Sequence, residues 1–186
     1  MILALIRHGQ TDYNQKQLIQ GHIDNPLNET GRTQAKEFAD TLIELDITYD
    51  NILSSPLKRA FETADIIREH INHESKVIVN PILIERRFGK FDGLTIQEAF
   101  PIIEKNIQSD DYESDEDLVK RVIDGIFELE KTYGEQHLLA VTHSQVIKAI
   151  YVYLNPKKYT FTNFTIHNAE LVCFKVSKNK IKPLDE

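Results

Sequence analysis

Apolar residues recur along the chain in two alternating periods, and their alternation predicts the order of the elements. Short apolar runs mark strands at Ile2–Ile6, Asp50–Leu53, Val77–Val79, Leu138–Val141 and Leu171–Val176. Between them lie longer segments with apolar positions every three or four residues, the period of a helix packed on one face. Ala35, Phe38, Ala39, Leu42 and Ile43 predict a helix from about Thr30 to Leu45. Ser55-Pro56 reads as a cap followed by proline at the first helical position, opening a second helix that carries Leu57, Ala60, Phe61, Ala64 and Ile67. A third runs from about Ser114 to Tyr133 through Leu118, Val122, Ile126 and Leu129, and a fourth begins just after His143. Short strands alternating with longer helices predict a parallel sheet with crossover helices, an α/β architecture.

Length and composition narrow the class. The chain has 186 residues, 41% hydrophobic and 27% charged, which is a globular composition at a length that one core can serve. We expect a single domain over residues 1–186, with a short lid-like insertion at about 94–117. The run Met1–Ile6 is apolar, but Arg7 and His8 end it after six residues, short of a signal h-region or a membrane span. The single cysteine, Cys173, leaves no internal disulfide and no paired thiolates for a metal, which fits a reducing, cytoplasmic setting. A net charge of −7 without a Lys/Arg-rich run argues against nucleic acid and anionic lipid as partners and for a small substrate. Residues 109–117 hold six acids in nine positions, read as a solvated loop entering the N-terminus of a helix. The oligomeric state is left open.

Three predicted strands end in polar residues that can converge. Ile6 runs into Arg7-His8-Gly9, Leu53 into Ser54-Ser55, and Val141 into Thr142-His143-Ser144. In open parallel sheets, ligands bind outside the carboxyl ends of the strands, so this placement marks a site. Two histidines and an arginine there, with Arg59 in the first turns of the following helix, make a cationic pocket in an acidic protein. Such a pocket suits a dianion, phosphate above all.

The motifs resemble those of the histidine phosphatase superfamily, which includes cofactor-dependent phosphoglycerate mutases and many small phosphatases. Arg7-His8-Gly9-Gln10-Thr11-Asp12-Tyr13-Asn14 looks like its RHG signature. Gln20-Gly21 with Pro26-Leu27-Asn28-Glu29-Thr30-Gly31 resembles the segment that follows. The run from Ser54 to Ala64 resembles its second arginine motif, Glu85-Arg86-Arg87-Phe88-Gly89 with Asp92-Gly93 its acid-bearing loop, and Val141-Thr142-His143 its late histidine. The resemblance implies a three-layer α/β/α sandwich on a mostly parallel sheet. It implies a phosphatase acting on a small phosphorylated metabolite, with His8 as the nucleophile that becomes phosphohistidine. Arg7, Arg59 and His143 would hold the phosphate, and Glu85 would act as the acid that protonates the leaving oxygen. Gly9 would permit close approach of backbone to ligand, and Arg59 would offer its planar fork to paired phosphate oxygens. Asn14, Gln20, Gly21, Ser144 and Gln145 would line the substrate side. Arg86, with Arg87 and Lys90, either recognises a second negative group or pairs with local acids. His143 would be kept cationic by the phosphate.

No HExxH, paired-cysteine or aspartate-cluster pattern occurs, so neither metal nor other cofactor is expected. Two alternatives stand beside hydrolysis: mutase-type transfer, and a pocket that binds phosphate without turnover. A mutase needs a second anion site, whereas residues 94–117 hold one basic residue, Lys105, and eight acids. Chain length and the sequence Thr142-His143-Ser144-Gln145 also favour hydrolysis in this reading.

Overall fold

The computed structural model describes residues 1–103 and 111–184. Its strands are β1 (Ile2–Arg7), β2 (Asn51–Ser54), β3 (Ile78–Val79), β4 (His137–Thr142), β5 (Leu171–Ser177) and β6 (Lys180–Pro183). Its helices are α1 (Asp12–Gln15), α2 (Glu29–Glu44), α3 (Lys58–His70), α4 (Ile96–Ile103), α5 (Asp115–Tyr133) and α6 (Ser144–Leu154). The six strands form one sheet in the order β3-β2-β4-β1-β5-β6. β3, β2, β4 and β1 are mutually parallel, and β5 and β6 close the far edge antiparallel.

Successive residues of a strand point to opposite faces, and here that alternation assigns the layers. Leu3 and Leu5 of β1, with Leu138 and Ala140 of β4, pack with α5 and α6. Ala4, Ile6, Leu139 and Val141 face the other way, into Ala35, Ala39 and Leu42 of α2 and Ala60, Ala64 and Ile67 of α3. The small residues on α2 and α3 let those helices lie close to the sheet. The result is the expected three-layer α/β/α sandwich with a mostly parallel sheet. A smaller apolar group, Ile19, Phe88, Phe91 and Ala99, supports the loops above the strand ends.

The expected elements are present, with two differences. Ser55-Pro56 does not cap a helix: α3 starts at Lys58, Leu57 makes no side-chain cap, and the Asp24 carboxylate accepts from the Lys58 backbone N–H at 2.6 Å. Ser55 is turned instead toward His143, as described below. The hairpin strand β6 and the short helices α1 and α4 were not expected from the pattern. Part of the lid-like segment proposed at 94–117 lies outside the described residues; Ile96–Ile103 within it is helical despite Pro101.

Candidate active site

The hydrogen-bonding ladder continues one step past the strands and fixes the site. The His8 N–H donates to the Thr142 carbonyl, and the Ser55 N–H to the Val141 carbonyl, both at 3.0 Å. Three adjacent parallel strands thus deliver His8, Ser55 and His143 to one edge. The His8 and His143 rings meet edge to face, 5.1 Å between centroids. Both are buried, as is Arg59. Gly9 serves this packing: a Cβ there would lie 2.4 Å from the Gly31 carbonyl oxygen of α2.

The hydrogen bonds of His8 assign its tautomer. Nδ1 lies 2.7 Å from the Gly9 carbonyl, which can only accept, so Nδ1 carries the proton. Nε2 therefore holds the lone pair, and it accepts from Arg59 Nε at 3.2 Å. Burial, then the neighbouring Arg59 and Arg7 charges, hold the His8 pKa well below the usual histidine value. The ring is a neutral base with Nε2 as its only available electron pair, the form a nucleophilic imidazole requires.

Arg59 is held from three sides. Its terminal nitrogens donate to the Ile23 carbonyl at 2.7 Å and the Gly21 carbonyl at 2.8 Å, leaving Nε directed at His8. Each terminal nitrogen thus has one of its two N–H groups anchored on backbone, and Nε is the donor directed at the reacting nitrogen. Burial lowers the Arg59 pKa to about 10, so the guanidinium remains charged at neutral pH. Gly21 has φ +46, and a Cβ on it would come within 2.1 Å of an Asp92 carboxylate oxygen, so glycine is required for the Arg59 anchor.

Arg7 donates to the Ile166 carbonyl at 2.5 Å, and its buried Nε has no partner. His143 Nε2 sits 2.7 Å from Ser55 Oγ, and its buried Nδ1 is likewise unpartnered. An unsatisfied buried donor such as Arg7 Nε is costly and suits an anion in the cavity, and His143 Nδ1 adds a second unpartnered polar atom beside it. His143 also precedes α6 with no side-chain cap, so the first-turn N–H groups of that helix add donors at the same place. Burial first, then Arg59, hold the His143 pKa well below the usual histidine value. The protein's own charges thus favour the neutral ring, and only the field of a bound dianion would protonate it.

Glu85 is buried with Oε1 accepting from the Arg86 N–H at 2.9 Å. Its pKa is raised, by burial first, against the opposing pull of that hydrogen bond and of Arg59, Arg7 and Arg121. Among the described ion pairs none involves Glu85. It stands apart from a simple arginine partner and is the one carboxyl group among the described residues lining the cavity.

A cavity of about 480 Å³ joins these groups except His143, which lies behind its lining, against His8. Arg7, His8, Arg59 and Glu85 line it together with Asn14, Gln20, Gly21, Ser144 and Gln145, all expected from the sequence. Asn14 and Gln20 are oriented through Thr11, whose hydroxyl donates to Gln20 Oε1 at 2.9 Å. Sequence reasoning missed Lys148 and an aromatic wall of Phe88, Phe100, Phe161 and Phe164. Lys148 lies one turn beyond Ser144 on α6, a spacing that signals the shared face.

For Arg86 the structure favours the second of the two expected roles, pairing with local acids. It is buried away from the cavity lining, donating to the Glu113 carbonyl at 2.9 Å and Asp115 at 2.6 Å. Its guanidinium carbon lies 4.4 Å from the Tyr112 ring centroid and 5.2 Å from that of Phe161. Its charge and planar surface join the acidic loop to α5 and are not available to substrate. Arg87 donates to the Asp111 carbonyl, and Lys90 lies over Phe91. Arg86→Met should therefore lower unfolding stability by about 2–3 kcal/mol, the order for losing hydrogen bonds to a charged group, with little change in KM. Denaturant unfolding and steady-state kinetics check this; a raised KM at unchanged stability would restore the substrate role.

Comparison with known proteins agrees with this geometry. Residues 3–184 match the model of the histidine phosphatase superfamily, branch 1. An uncharacterized phosphatase, PhoE, of Bacillus subtilis is 34% identical over 148 residues, covering 80% of this chain and 74% of that protein. A 2,3-bisphosphoglycerate-dependent phosphoglycerate mutase of Thermoplasma acidophilum is 34% identical over 191 residues, covering 98% of this chain and 91% of its own. Among solved structures, a mutant phosphoserine phosphatase of Entamoeba histolytica in complex with phosphoserine superimposes with a TM-score of 0.82 at 26% identity, covering 98% of this chain and 94% of that one. The archaeal mutase matches nearly end to end, so chain length carries no weight against a mutase.

Proposed function

The chain belongs to the histidine phosphatase superfamily, and from that membership we propose that it hydrolyses a small-molecule phosphate monoester through a phosphohistidine on His8, without a metal. The observation that carries the proposal is His8 itself: a buried neutral imidazole with its proton fixed on Nδ1 and its Nε2 lone pair facing a cationic cavity. The phosphatase names of relatives support hydrolysis. The charges support metal independence, since a cavity lined by Arg7, Arg59 and Lys148 repels a cation and already supplies the charge a metal would bring. No helix among the described residues is long and apolar enough to cross a membrane. With the single cysteine, this accords with a cytoplasmic enzyme.

The reaction follows from the placement. The phosphoryl group of the monoester sits between Arg7, Arg59, His143 and the first-turn N–H groups of α6, which neutralise its equatorial oxygens. His8 Nε2 attacks phosphorus as the ester P–O bond breaks. The bond's electrons leave with the substrate oxygen, which takes the proton of Glu85. A water then gives its proton to the Glu85 carboxylate and attacks the phosphohistidine, releasing inorganic phosphate and the neutral imidazole. The raised Glu85 pKa keeps the acid form available at mildly acidic pH, and the substrate dianion raises it further. Turnover of esters with poor leaving groups accordingly falls as pH rises through that pKa.

Hydrolysis and mutase transfer separate in one assay. Phosphoglycerate, supplied with its bisphosphate activator and excess chelator, should yield inorganic phosphate in preference to isomer, at a rate the chelator does not change. Isomer forming tenfold faster than phosphate would identify a mutase, and recovery of a lost rate on adding a divalent ion would refute metal independence.

A further inference from the structure

Lys148 is a buried cation that the reaction above does not use. Its Nζ donates to the Phe161 carbonyl at 2.9 Å and lies 5.1 Å from the Phe164 ring centroid. Among the described residues that carbonyl is its one hydrogen-bond partner, and none of the ion pairs includes it. An ammonium has three donors, and a buried one without a counter-ion is expensive to keep. Burial and the Arg7 charge on β1 lower its pKa to about 8, while Glu85, from the loop before α4, opposes them.

The surroundings of Lys148 restrict what can approach it. Phe88, Phe100, Phe161 and Phe164 line the same cavity, together with Thr162 and Thr165, so the space outside the phosphate centre has an aromatic wall and one positive charge. Arg86, whose guanidinium lies over the Phe161 ring, is already bonded to the Glu113 carbonyl and the Asp115 carboxylate and does not compete for a ligand. A single ammonium with one donor committed to backbone matches a singly charged carboxylate, whereas a second phosphate dianion would leave charge unbalanced in an apolar wall.

Taking the phosphatase reading as given, we infer that Lys148 selects substrates whose alcohol portion combines an apolar or aromatic body with one carboxylate, which the ammonium binds while the ring wall covers the body. Lys148 is then a specificity residue acting on the leaving group, and the phosphoryl centre is untouched by it.

The test compares a phenyl phosphate carrying a para propanoate chain with the same ester whose carboxylate is converted to the primary amide. For the wild type near pH 7, kcat/KM should favour the carboxylate by about tenfold or more, the order for one charge-assisted hydrogen bond in a desolvated site. Lys148→Gln should bring the ratio toward one, and Lys148→Arg should retain most of it. In the wild type the preference should fade as pH rises above about 8, where the free ammonium loses its proton, with a bound carboxylate moving that midpoint upward. This wild-type profile remains decisive if Lys148→Gln does not fold. No preference in the wild type, a ratio unaffected by Lys148→Gln, or a preference flat in pH would each overturn the inference. Calorimetric binding of the two corresponding phosphonates reads the same preference without turnover. Preferential binding without hydrolysis would refute the phosphatase reading alone, and hydrolysis without preference would refute the Lys148 assignment alone.

Discussion

Replacing His8 with alanine should lower kcat/KM by roughly 10⁴-fold or more, the order of loss for a nucleophile acting in an otherwise complete site. The size of the effect follows from the division of labour. Arg7, Arg59, His143 and the α6 N-terminus bind and neutralise phosphate, but Nε2 of His8 holds the electron pair that its fixed tautomer and lowered pKa keep available. The neighbouring ring differs in that no hydrogen bond fixes its tautomer: His143 Nε2 lies 2.7 Å from the Ser55 hydroxyl, which can donate or accept, and Nδ1 is unpartnered. Calorimetry should show that His8→Ala still binds inorganic phosphate, which separates loss of the nucleophile from loss of the fold. A variant that binds phosphate and turns over at near-normal rate would remove His8 from the chemistry.

Glu85→Gln should lower phosphoenzyme formation from alkyl phosphates by roughly 10²–10⁴-fold, the usual general-acid contribution, and scarcely affect nitrophenyl phosphate. An alkoxide needs a proton to leave, whereas a nitrophenolate departs almost unaided. The structural ground is a buried carboxyl whose pKa is raised by burial and which has no ion-pair partner among the described residues. Glutamine keeps the acceptor for the Arg86 N–H at the position of Oε1 and removes only the proton. Single-turnover measurement isolates the first step, because steady-state rates also report water attack. Equal losses on both substrates would make Glu85 a positioning group and send the search for the acid elsewhere.

The sheet and the phosphate centre were legible because each depended on a local signal. Strand-length apolar runs ending in Arg7-His8, Ser54-Ser55 and Thr142-His143 placed the chemistry before any packing was considered. β6 was missed because its lysines alternate with only Ile181 as a buried apolar residue; the signal lay in the turn, where Lys178 and Asn179 both take positive φ, as a tight hairpin demands. α4 was obscured by Pro101. Arg86 was left between two roles because cations near a phosphate site look alike in sequence, and only the packing of Tyr112, Phe161 and Asp115 around it favours pairing with local acids. Lys148 was missed for the converse reason: a lysine on an amphipathic helix is ordinarily solvated, and its burial depends on Phe161 and Phe164 from a loop beyond the helix. Gly9 was read as making room for a ligand; the close approach that the structure holds is to Gly31 of α2, a contact that strand spacing does not encode.

The account rests on a covalent bond between phosphorus and His8 Nε2, and rapid-quench labelling tests it directly. Wild-type protein mixed with a phosphate ester carrying labelled phosphorus and quenched within one turnover should hold label that is stable in base, lost in acid and located on the peptide containing His8. Label that survives acid, or that remains undiminished in His8→Ala, would contradict it.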